Sequence, residues 1–248
     1  MDKRNWLTGS AAMPVLSALV LLVLWQAASQ VIAQPLILPA PTAVLGFLVS
    51  HLGDRAFLGH FAASLARVAA AIAVTMTLGT ALGILSGLHD GFRSFIAVPL
   101  ALVRSVPMTA IILAAVFWFG AAMLPVFVAV LMTLPVLCDA VSQGVRSVPR
   151  RLLDMARVYG FSRRTVLTQV YLPGIRDHFL AGTRTVLGMS WKVVVAGETL
   201  ALPRWGAGAL LYGAKVRLET AGVFAIALMM TVLCVAMEGL LGDRRGRP

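Results

Sequence analysis

The segment "LLDMARVYGFSRRTVLTQVYLP" (residues 152–173) is basic, with Asp154 as its only acid, yet apolar runs long enough to cross a bilayer lie on both sides of it. Its first apolar residues recur at i, i+3, i+4 and i+7, which predicts a single apolar face on a helix. That face consists of Leu152, Met155, Ala156 and Tyr159. An amphipathic helix in this place is either a docking surface for another protein or a helix that rests on lipid headgroups.

Residues that start and stop helices divide the same segment into two parts. Ser147 is predicted as the N-cap of the first helix, since a serine hydroxyl can accept a hydrogen bond from a free N–H group. Gly160 is predicted to end that helix in a left-handed conformation. Ser162 is predicted to cap a second helix that runs to Pro173.

Composition places the whole chain among membrane proteins. Of its 248 residues, 59% are hydrophobic and 12% are charged, and the mean hydropathy is +0.89. Soluble domains carry about 25% charged residues, roughly twice that share. The formal net charge is +11, and most arginines flank apolar runs, which indicates topology charges beside anionic lipid rather than nucleic-acid binding. The two cysteines lie inside apolar runs without motif spacing, so we predict neither a disulfide framework nor a metal site.

Six apolar runs come close to the length of about 20 residues that a membrane-spanning helix needs. The first, 13–33, is either a cleaved signal peptide or a retained helix, and it exceeds the roughly 7–15 residues of a signal core, which favours the retained helix. The run 95–120 contains Arg104 and Pro107, so we predict a broken span there. The other runs are 68–88, 121–138, 179–200 and 220–237.

Lysine and arginine counts orient these spans. Residues 146–176 hold seven arginines, whereas the two pieces that would lie outside, 34–61 and 201–219, hold four basic residues together. The positive-inside rule therefore predicts that both termini and the segment 152–173 are cytoplasmic. The outer piece 34–61 is predicted to form an amphipathic helix on the membrane surface, with a loop packed over the spans as the alternative.

The segment 152–173 resembles the "EAA" loop of bacterial ABC importer permeases, whose pattern is E-A-A, three residues, G, nine residues and I-x-L-P. Seven positions fall in this register without a gap: Asp154, Met155, Ala156, Gly160, Val170, Leu172 and Pro173. Three of them depart from the pattern, since Asp replaces Glu, Met replaces the first Ala and Val replaces Ile. Further blocks at 64–88, 103–120, 181–198 and 205–211 look like the branch of these permeases that serves nitrate, sulfonate, taurine and related solutes. That branch usually has a second proline and a tryptophan soon after the position of Pro107, where this chain reads "PMTAIILAA".

The resemblance implies a division of labour between subunits. The loop would sit in a groove of a separate ATPase subunit and transmit nucleotide-driven closure to the spans, while an extracytoplasmic binding protein delivers the solute. The predicted coupling residues combine this register with the apolar face: Leu152, Asp154, Met155, Ala156, Tyr159, Gly160, Leu172 and Pro173. The chain has no G-x-x-x-x-G-K-[ST] motif, so we expect ATP hydrolysis on the partner and no cofactor here. A second copy is the expected permease partner, because two-fold homodimers are the commonest assemblies.

Charged residues within the spans are costly and face protein or water. One interpretation is a translocation path for an anion, with Arg104 and Lys192 as its cations. The candidate path residues are Arg104, Trp191, Lys192 and Glu198. The other interpretation is structural pairing, such as Arg104 or Lys192 with Glu198 or Glu238. Two other function classes lack support in the sequence, since it shows no channel-filter repeat and no paired titratable groups of an intramembrane enzyme.

The sequence therefore predicts an all-α, polytopic membrane protein with six transmembrane helices and a cytoplasmic coupling-helix loop, the type I ABC importer permease fold. We divide it into residues 1–61, an N-terminal span with an outer surface helix, and 62–242, a transmembrane permease domain with a coupling loop at 142–177. The expected location is the bacterial cytoplasmic (inner) membrane. The expected solute is small: either a sulfonate, nitrate, taurine or a similar solute with an anionic group, or a vitamin precursor or other organic nutrient.

Overall fold

A computed structural model describes residues 12–242, and helices account for most of them, with no strand among the described residues. The helices are α1 (Ala12–Ile32), α2 (Pro41–His51), α3 (Arg55–Leu88), α4 (Asp90–Ser105), α5 (Met108–Ala115), α6 (Leu124–Arg146), α7 (Arg150–Val158), α8 (Arg163–Val166), α9 (Leu172–Ala201), α10 (Ala207–Val216) and α11 (Thr220–Gly242). A π-helical turn, Leu167–Tyr171, joins α8 to α9. The predicted all-α membrane fold is confirmed.

Four of the described helices, α1, α3, α6 and α11, are long and apolar enough to cross a membrane. Helices α4 and α5 together make a fifth candidate span, which is bent by 94°. The bend lies at Val106 and Pro107, where the backbone of Val106 is extended because a proline disfavours the helical conformation of the residue before it. The prediction of a broken span at this point is confirmed.

Helix α9 holds the predicted fifth span in sequence order, 179–200. It has 30 residues, so it is about 45 Å long at 1.5 Å per residue. Arg184, Lys192 and Glu198 lie within it and lower its mean hydropathy. For this reason α9 is not among the four helices that are apolar enough to be counted as spans. The count of six spans therefore stays a prediction, with α9 as the additional span.

Helix α6 forms the centre of the packing, with α3 along one side and α9 along another. Glycines allow this close approach. A Cβ atom on Gly83 of α3 would lie 2.6 Å from the Cβ of Val141, and one on Gly182 of α9 would lie 2.6 Å from the Cβ of Ala140. Small residues at such contacts let helix backbones approach closely in membranes, where packing replaces the hydrophobic effect as the driving force.

Helix α2 lies across the start of α11. Its Val44 is fully buried, and the Phe47 ring lies so close to Gly222 that a Cβ there would be 3.0 Å from the ring. Leu45 and Val49 on its other side are exposed. The predicted piece 34–61 thus contains a helix that packs over the spans on one face. Helix α3 is continuous through residues 61 and 62, where we placed the domain boundary, and that division stays a prediction.

Candidate functional site

The segment between α6 and α9, residues 150–173, is here called the coupling segment. Its first helix, α7, begins at Arg150 with Pro149 as the N-cap. The prediction of Ser147 as the N-cap is wrong, because Ser147 is the C-cap of α6 and its hydroxyl donates to the carbonyl of Gly144 at 2.8 Å. Pro149 has no N–H to extend α6, so the chain leaves one helix and starts the next at this residue.

Gly160 ends α7 in a left-handed conformation, with φ of +65°. The N–H of Phe161 donates to the carbonyl of Ala156 at 2.9 Å, and the N–H of Gly160 donates to the carbonyl of Arg157 at 3.1 Å. This pair of hydrogen bonds is the Schellman motif, which satisfies the last carbonyls of a helix. The prediction for Gly160 is confirmed. No atom lies within 4 Å of a Cβ built there, so only the backbone conformation favours glycine.

Only part of the predicted apolar face of α7 packs against the rest of the chain. Ala156 is buried, with 2% of its surface exposed, so it faces the rest of the chain. Leu152 and Met155 are exposed at 43% and 41%, and Tyr159 at 72%. Val158, Phe161, Leu167 and Leu172 extend this exposed apolar surface along the coupling segment. Apolar side chains clustered on a surface mark a contact with another protein or with lipid.

The second half of the coupling segment begins as predicted and ends differently. The N–H of Thr165 donates to the Ser162 hydroxyl at 3.1 Å, which confirms Ser162 as a cap. The helix does not stop at Pro173, so that prediction is wrong. Pro173 lies in the first turn of α9, directly after the π-helical turn Leu167–Tyr171. A π turn shifts the hydrogen-bond register, and this shift lets the helical path pass a residue that has no N–H.

Glu198 is fully buried near the end of α9 and is surrounded by donors. Its carboxylate accepts hydrogen bonds from the Ser64 hydroxyl at 2.7 Å, from Nη1 of Arg67 at 2.6 Å and from the N–H of Gly208 at 2.9 Å. Arg67 also donates from Nε to the carbonyl of Ala122 at 3.0 Å. Gly208 belongs to the first turn of α10, whose free N–H groups favour a carboxylate. Glu198 therefore joins α3, α9 and α10 at one end of the bundle.

Arg104, at the end of α4, pairs with Asp139 of α6 and donates to the carbonyl of Pro135 at 3.0 Å. Arg104 and Glu198 are thus each paired, as the structural-pairing interpretation expected, but with different partners from those it named. Glu198 pairs with Arg67, and neither Arg104 nor Lys192 reaches it. The side chain of Glu238, the other predicted partner, lies outside the described part of the chain. Arg104 and Glu198 thus belong to two separate ion pairs.

Lys192 and Trp191 lie at a groove of about 630 Å³ between α9 and α11. Trp191 is buried, whereas Lys192 is exposed. The other residues of the groove are apolar or neutral, among them Val195, Met230 and Leu211. Within the described residues, Lys192 makes no ion pair and no hydrogen bond, and it is the groove's single charged group. Of the three charged residues among the predicted path residues, Lys192 is therefore the one without a partner of opposite charge in the described part of the chain, whereas Arg104 and Glu198 are paired.

The sequence interpretation missed three residues of these pairs: Ser64, Arg67 and Asp139. We placed Arg67 one residue before the predicted span 68–88 and Asp139 one residue after the span 121–138. Helix α3 begins at Arg55 and helix α6 continues to Arg146, so both charges lie well inside helices. A charge directly beside a predicted span end is the signal that could have identified them.

Comparison with known proteins gives the family. Residues 79–242 match the family described as "Binding-protein-dependent transport system inner membrane component". The taurine transport system permease protein TauC of Escherichia coli (strain K12) is 33% identical over 236 residues, which cover 90% of this chain and 84% of TauC.

Two further relatives carry different solute names. The putative aliphatic sulfonates transport permease protein SsuC of Bacillus subtilis (strain 168) is 28% identical over 233 residues, covering 92% of this chain and 82% of SsuC. The formylaminopyrimidine transport permease protein ThiX of Halalkalibacterium halodurans is 25% identical over 230 residues, covering 92% of this chain and 89% of ThiX.

The family match covers well over half of the chain, and it agrees with the helical spans and with the register of the coupling segment. Binding-protein-dependent transport implies an ATPase subunit and a solute-binding protein as partners. The chain belongs to the inner membrane components of binding-protein-dependent transport systems, and it is a multi-pass permease subunit of an ABC importer for a small solute rather than an enzyme.

Proposed function

We propose that the coupling segment docks in a groove of the ATPase subunit and passes the movement of that subunit to the spans. The observation that carries this proposal is the uncovered apolar surface of Leu152, Met155 and Tyr159, next to a turn that is fixed by the hydrogen bonds of Gly160. A fixed turn holds the two halves of the segment at a set angle, which suits a shaped groove better than a fluid headgroup layer.

The connections of the segment support a mechanical role. Only three residues separate the end of α6 from the start of α7, and the chain stays helical from Arg163 through α9. Helices α6 and α9 are also in tight contact beside the segment, since a Cβ on Gly144 would lie 3.0 Å from the Cβ of His178. A displacement of the coupling segment would therefore move both helices together. Along α9 it would reach Lys192, about 30 Å from Leu172, and then Glu198.

We further propose that the solute is a small anion and that Lys192 lies on its path. An ammonium group in an apolar groove within a span is costly unless an anion compensates it, and Lys192 has no carboxylate partner among the described residues. The names of TauC and SsuC, taurine and aliphatic sulfonates, both denote sulfonates and agree with this class. The formylaminopyrimidine relative supports a second candidate, a vitamin precursor or similar organic nutrient.

The assembly we propose is a homodimer about a two-fold axis, in which each copy receives one ATPase subunit. Closed two-fold pairs are the commonest protein assemblies, and one such bundle supplies a single wall of a path. The concentration of arginines at 146–176 supports an orientation with the coupling segment and both termini in the cytoplasm.

The docking proposal is tested by substitutions that change the segment without touching the spans. Gly160→Val has room for its side chain but must adopt φ of +65°, which costs about 1–2 kcal/mol and would re-aim α7. Gly160→Asn is the matched control, because asparagine tolerates this conformation. We expect Gly160→Val to insert in the membrane normally but to retain less ATPase subunit in a pull-down and to import less solute than Gly160→Asn.

A charge reversal tests the same surface independently. Asp154 is 69% exposed and lies 3.8 Å from Arg157, so it contributes little to the stability of the chain itself. Asp154→Arg should weaken binding of the ATPase subunit, whereas Asp154→Glu, which keeps the negative charge, should leave that binding nearly unchanged. If Gly160→Val and Asp154→Arg both bound the ATPase and transported like the unaltered protein, the segment would be a surface-lying helix and the docking proposal would be wrong.

A further inference from the structure

A polar pocket of about 560 Å³ lies beside the start of the coupling segment, and the proposed transport path does not use it. Residues of α3, α4, α6 and α9 meet in its wall. The side chains that bear on its chemistry are Ser86, Arg93, Asp139, Ser142, Arg146 and His178. In contrast to the apolar groove at Lys192, this pocket is lined mainly by charged groups and hydroxyls.

The charges around the pocket are largely paired, with one exception. Asp139 is neutralised by Arg104, and Arg146 forms an ion pair with Asp90. Within the part of the chain that the structure describes, the guanidinium of Arg93 makes neither an ion pair nor a hydrogen bond. Arg93 lies close enough to Asp90 to add to the electrostatic stabilisation of that carboxylate by Arg146. The positive charges beside the pocket, Arg93 and Arg146, nevertheless outnumber Asp90, and Asp139 is already paired with Arg104.

Two neutral side chains of the pocket, Ser86 and His178, can donate hydrogen bonds but have no acceptor among the described residues. Ser86 and Ser142 are both buried, and the Ser142 hydroxyl donates to Ser86 over a long 3.3 Å. The structure shows no acceptor for the Ser86 proton and no hydrogen-bond partner for the His178 ring among the described residues. A guanidinium, a hydroxyl and an imidazole N–H without acceptors favour a ligand that has several acceptor oxygens and a negative charge.

We propose that this pocket binds a tetrahedral oxyanion group, a sulfonate, sulfate or phosphate, with Arg93, Ser86 and His178 as the donors. The volume exceeds that of a bare oxyanion, so a small organic body attached to the group also fits. Two sources can supply this chemistry, a solute in the cytoplasm or the phosphate of a lipid headgroup. Arg146 and Ser147 close α6 immediately before α7, so a bound oxyanion would hold α4, α6 and α9 together there. Any effect on coupling rests on the proposed docking role, but binding itself does not.

The test uses a cysteine reporter in the pocket. Gln143 is exposed and lines the pocket, so Gln143→Cys, in a full-length chain whose Cys138 and Cys234 are replaced by alanine, reports occupancy through its rate of maleimide labelling. The chain is placed in nanodiscs of zwitterionic lipid, and sodium methanesulfonate, sodium sulfate and sodium chloride are compared at equal ionic strength. Methanesulfonate and sulfate should slow the labelling, and chloride should not.

Variants of the donors decide whether the pocket is responsible. Losing a charge-assisted hydrogen bond should raise the half-effective methanesulfonate concentration about tenfold or more in Arg93→Gln. Arg204→Gln, at an exposed arginine that does not line the pocket, is the matched control and should leave it unchanged. Equal slowing by chloride, or equal shifts in the two variants, would overturn the proposal.

A second lipid composition separates the two sources. In nanodiscs that contain phosphatidylglycerol, a headgroup ligand would slow the labelling of Gln143→Cys before any salt is added, and Arg93→Gln would restore the rate. A solute ligand would instead give the same methanesulfonate response in both lipids. Each result supports an oxyanion site and identifies what fills it.

Discussion

Replacing Glu198 by glutamine should strongly destabilise the helical bundle. The carboxylate is 0% exposed, and it accepts hydrogen bonds from the Ser64 hydroxyl, the Arg67 guanidinium and the backbone N–H of Gly208. Glutamine offers one acceptor oxygen instead of two, and its amide N–H₂ would face a donor. The side chain of Arg67 is 13% exposed and would lose its counter-charge. Removing one partner of a buried ion pair costs about 3–5 kcal/mol of the free energy of unfolding.

The assay is a double-mutant cycle on the free energy of unfolding, measured by titrating the purified chain in mixed micelles with a denaturing detergent. Arg67→Met removes the cation that Glu198→Gln would leave unpaired. Glu198→Gln should therefore lower the free energy of unfolding by less in the Arg67→Met chain than in the unaltered chain. We expect a coupling energy of at least about 1 kcal/mol.

A surface ion pair provides the matched control. Nε of Arg217 lies 3.1 Å from Oε1 of Glu219, and the two side chains are 56% and 43% exposed. Such a pair contributes about 0–1 kcal/mol, so Arg217→Gln should change the free energy of unfolding by no more than that. If Glu198→Gln cost no more than Arg217→Gln, or if the cycle showed no coupling, the buried network would not hold the helices together.

Three further predictions concern packing, path and orientation. Gly83→Ala should lower the free energy of unfolding by about 1–3 kcal/mol, since its Cβ would lie 2.6 Å from the Cβ of Val141. Gly91→Ala, whose Cβ would have no atom within 4 Å, should leave that free energy nearly unchanged, and equal values for the two variants would contradict the packing. Lys192→Met should reduce uptake of an anionic solute while assembly and ATP hydrolysis persist, and unchanged uptake would remove Lys192 from the path. Single cysteines within 146–176 should react with a membrane-impermeant reagent only from the cytoplasmic side, and labelling of intact cells would refute the proposed orientation.

Local signals in the sequence identified the features that depend on neighbouring residues. The break at Pro107 follows from the missing N–H of proline and from its restriction of the preceding residue, and the structure bends there by 94°. The end of α7 at Gly160 follows from the position of a glycine after an amphipathic turn, and the Schellman hydrogen bonds are present. In both places the physical cause lies within a few residues along the chain.

Other features depend on residues far apart in the chain, and the sequence did not reveal them. Glu198 pairs with Arg67, 131 residues earlier, because α3 and α9 meet at the start of α10. Arg104 pairs with Asp139 because the break after α4 brings its end against α6. The predicted helix end at Pro173 was wrong, because the π turn before it shifts the hydrogen-bond register and no N–H is needed at the proline. No local sequence pattern predicts that π turn. The helical type of the chain and the breaks at Pro107 and Gly160 were thus accessible from the sequence, while other helix ends and the ion pairs between distant helices required the packing.

The most direct test of the docking role is protection of the coupling segment on assembly. Tyr159 is 72% exposed in the chain alone, so Tyr159→Cys should react readily with a maleimide in the isolated permease. Ser94→Cys, on the exposed start of α4, serves as the control. Assembly with the ATPase subunit should slow the labelling of Tyr159→Cys and leave that of Ser94→Cys unchanged. Labelling of Tyr159→Cys at the same rate in the isolated permease and in a transporting complex would contradict the docking of this segment on the ATPase.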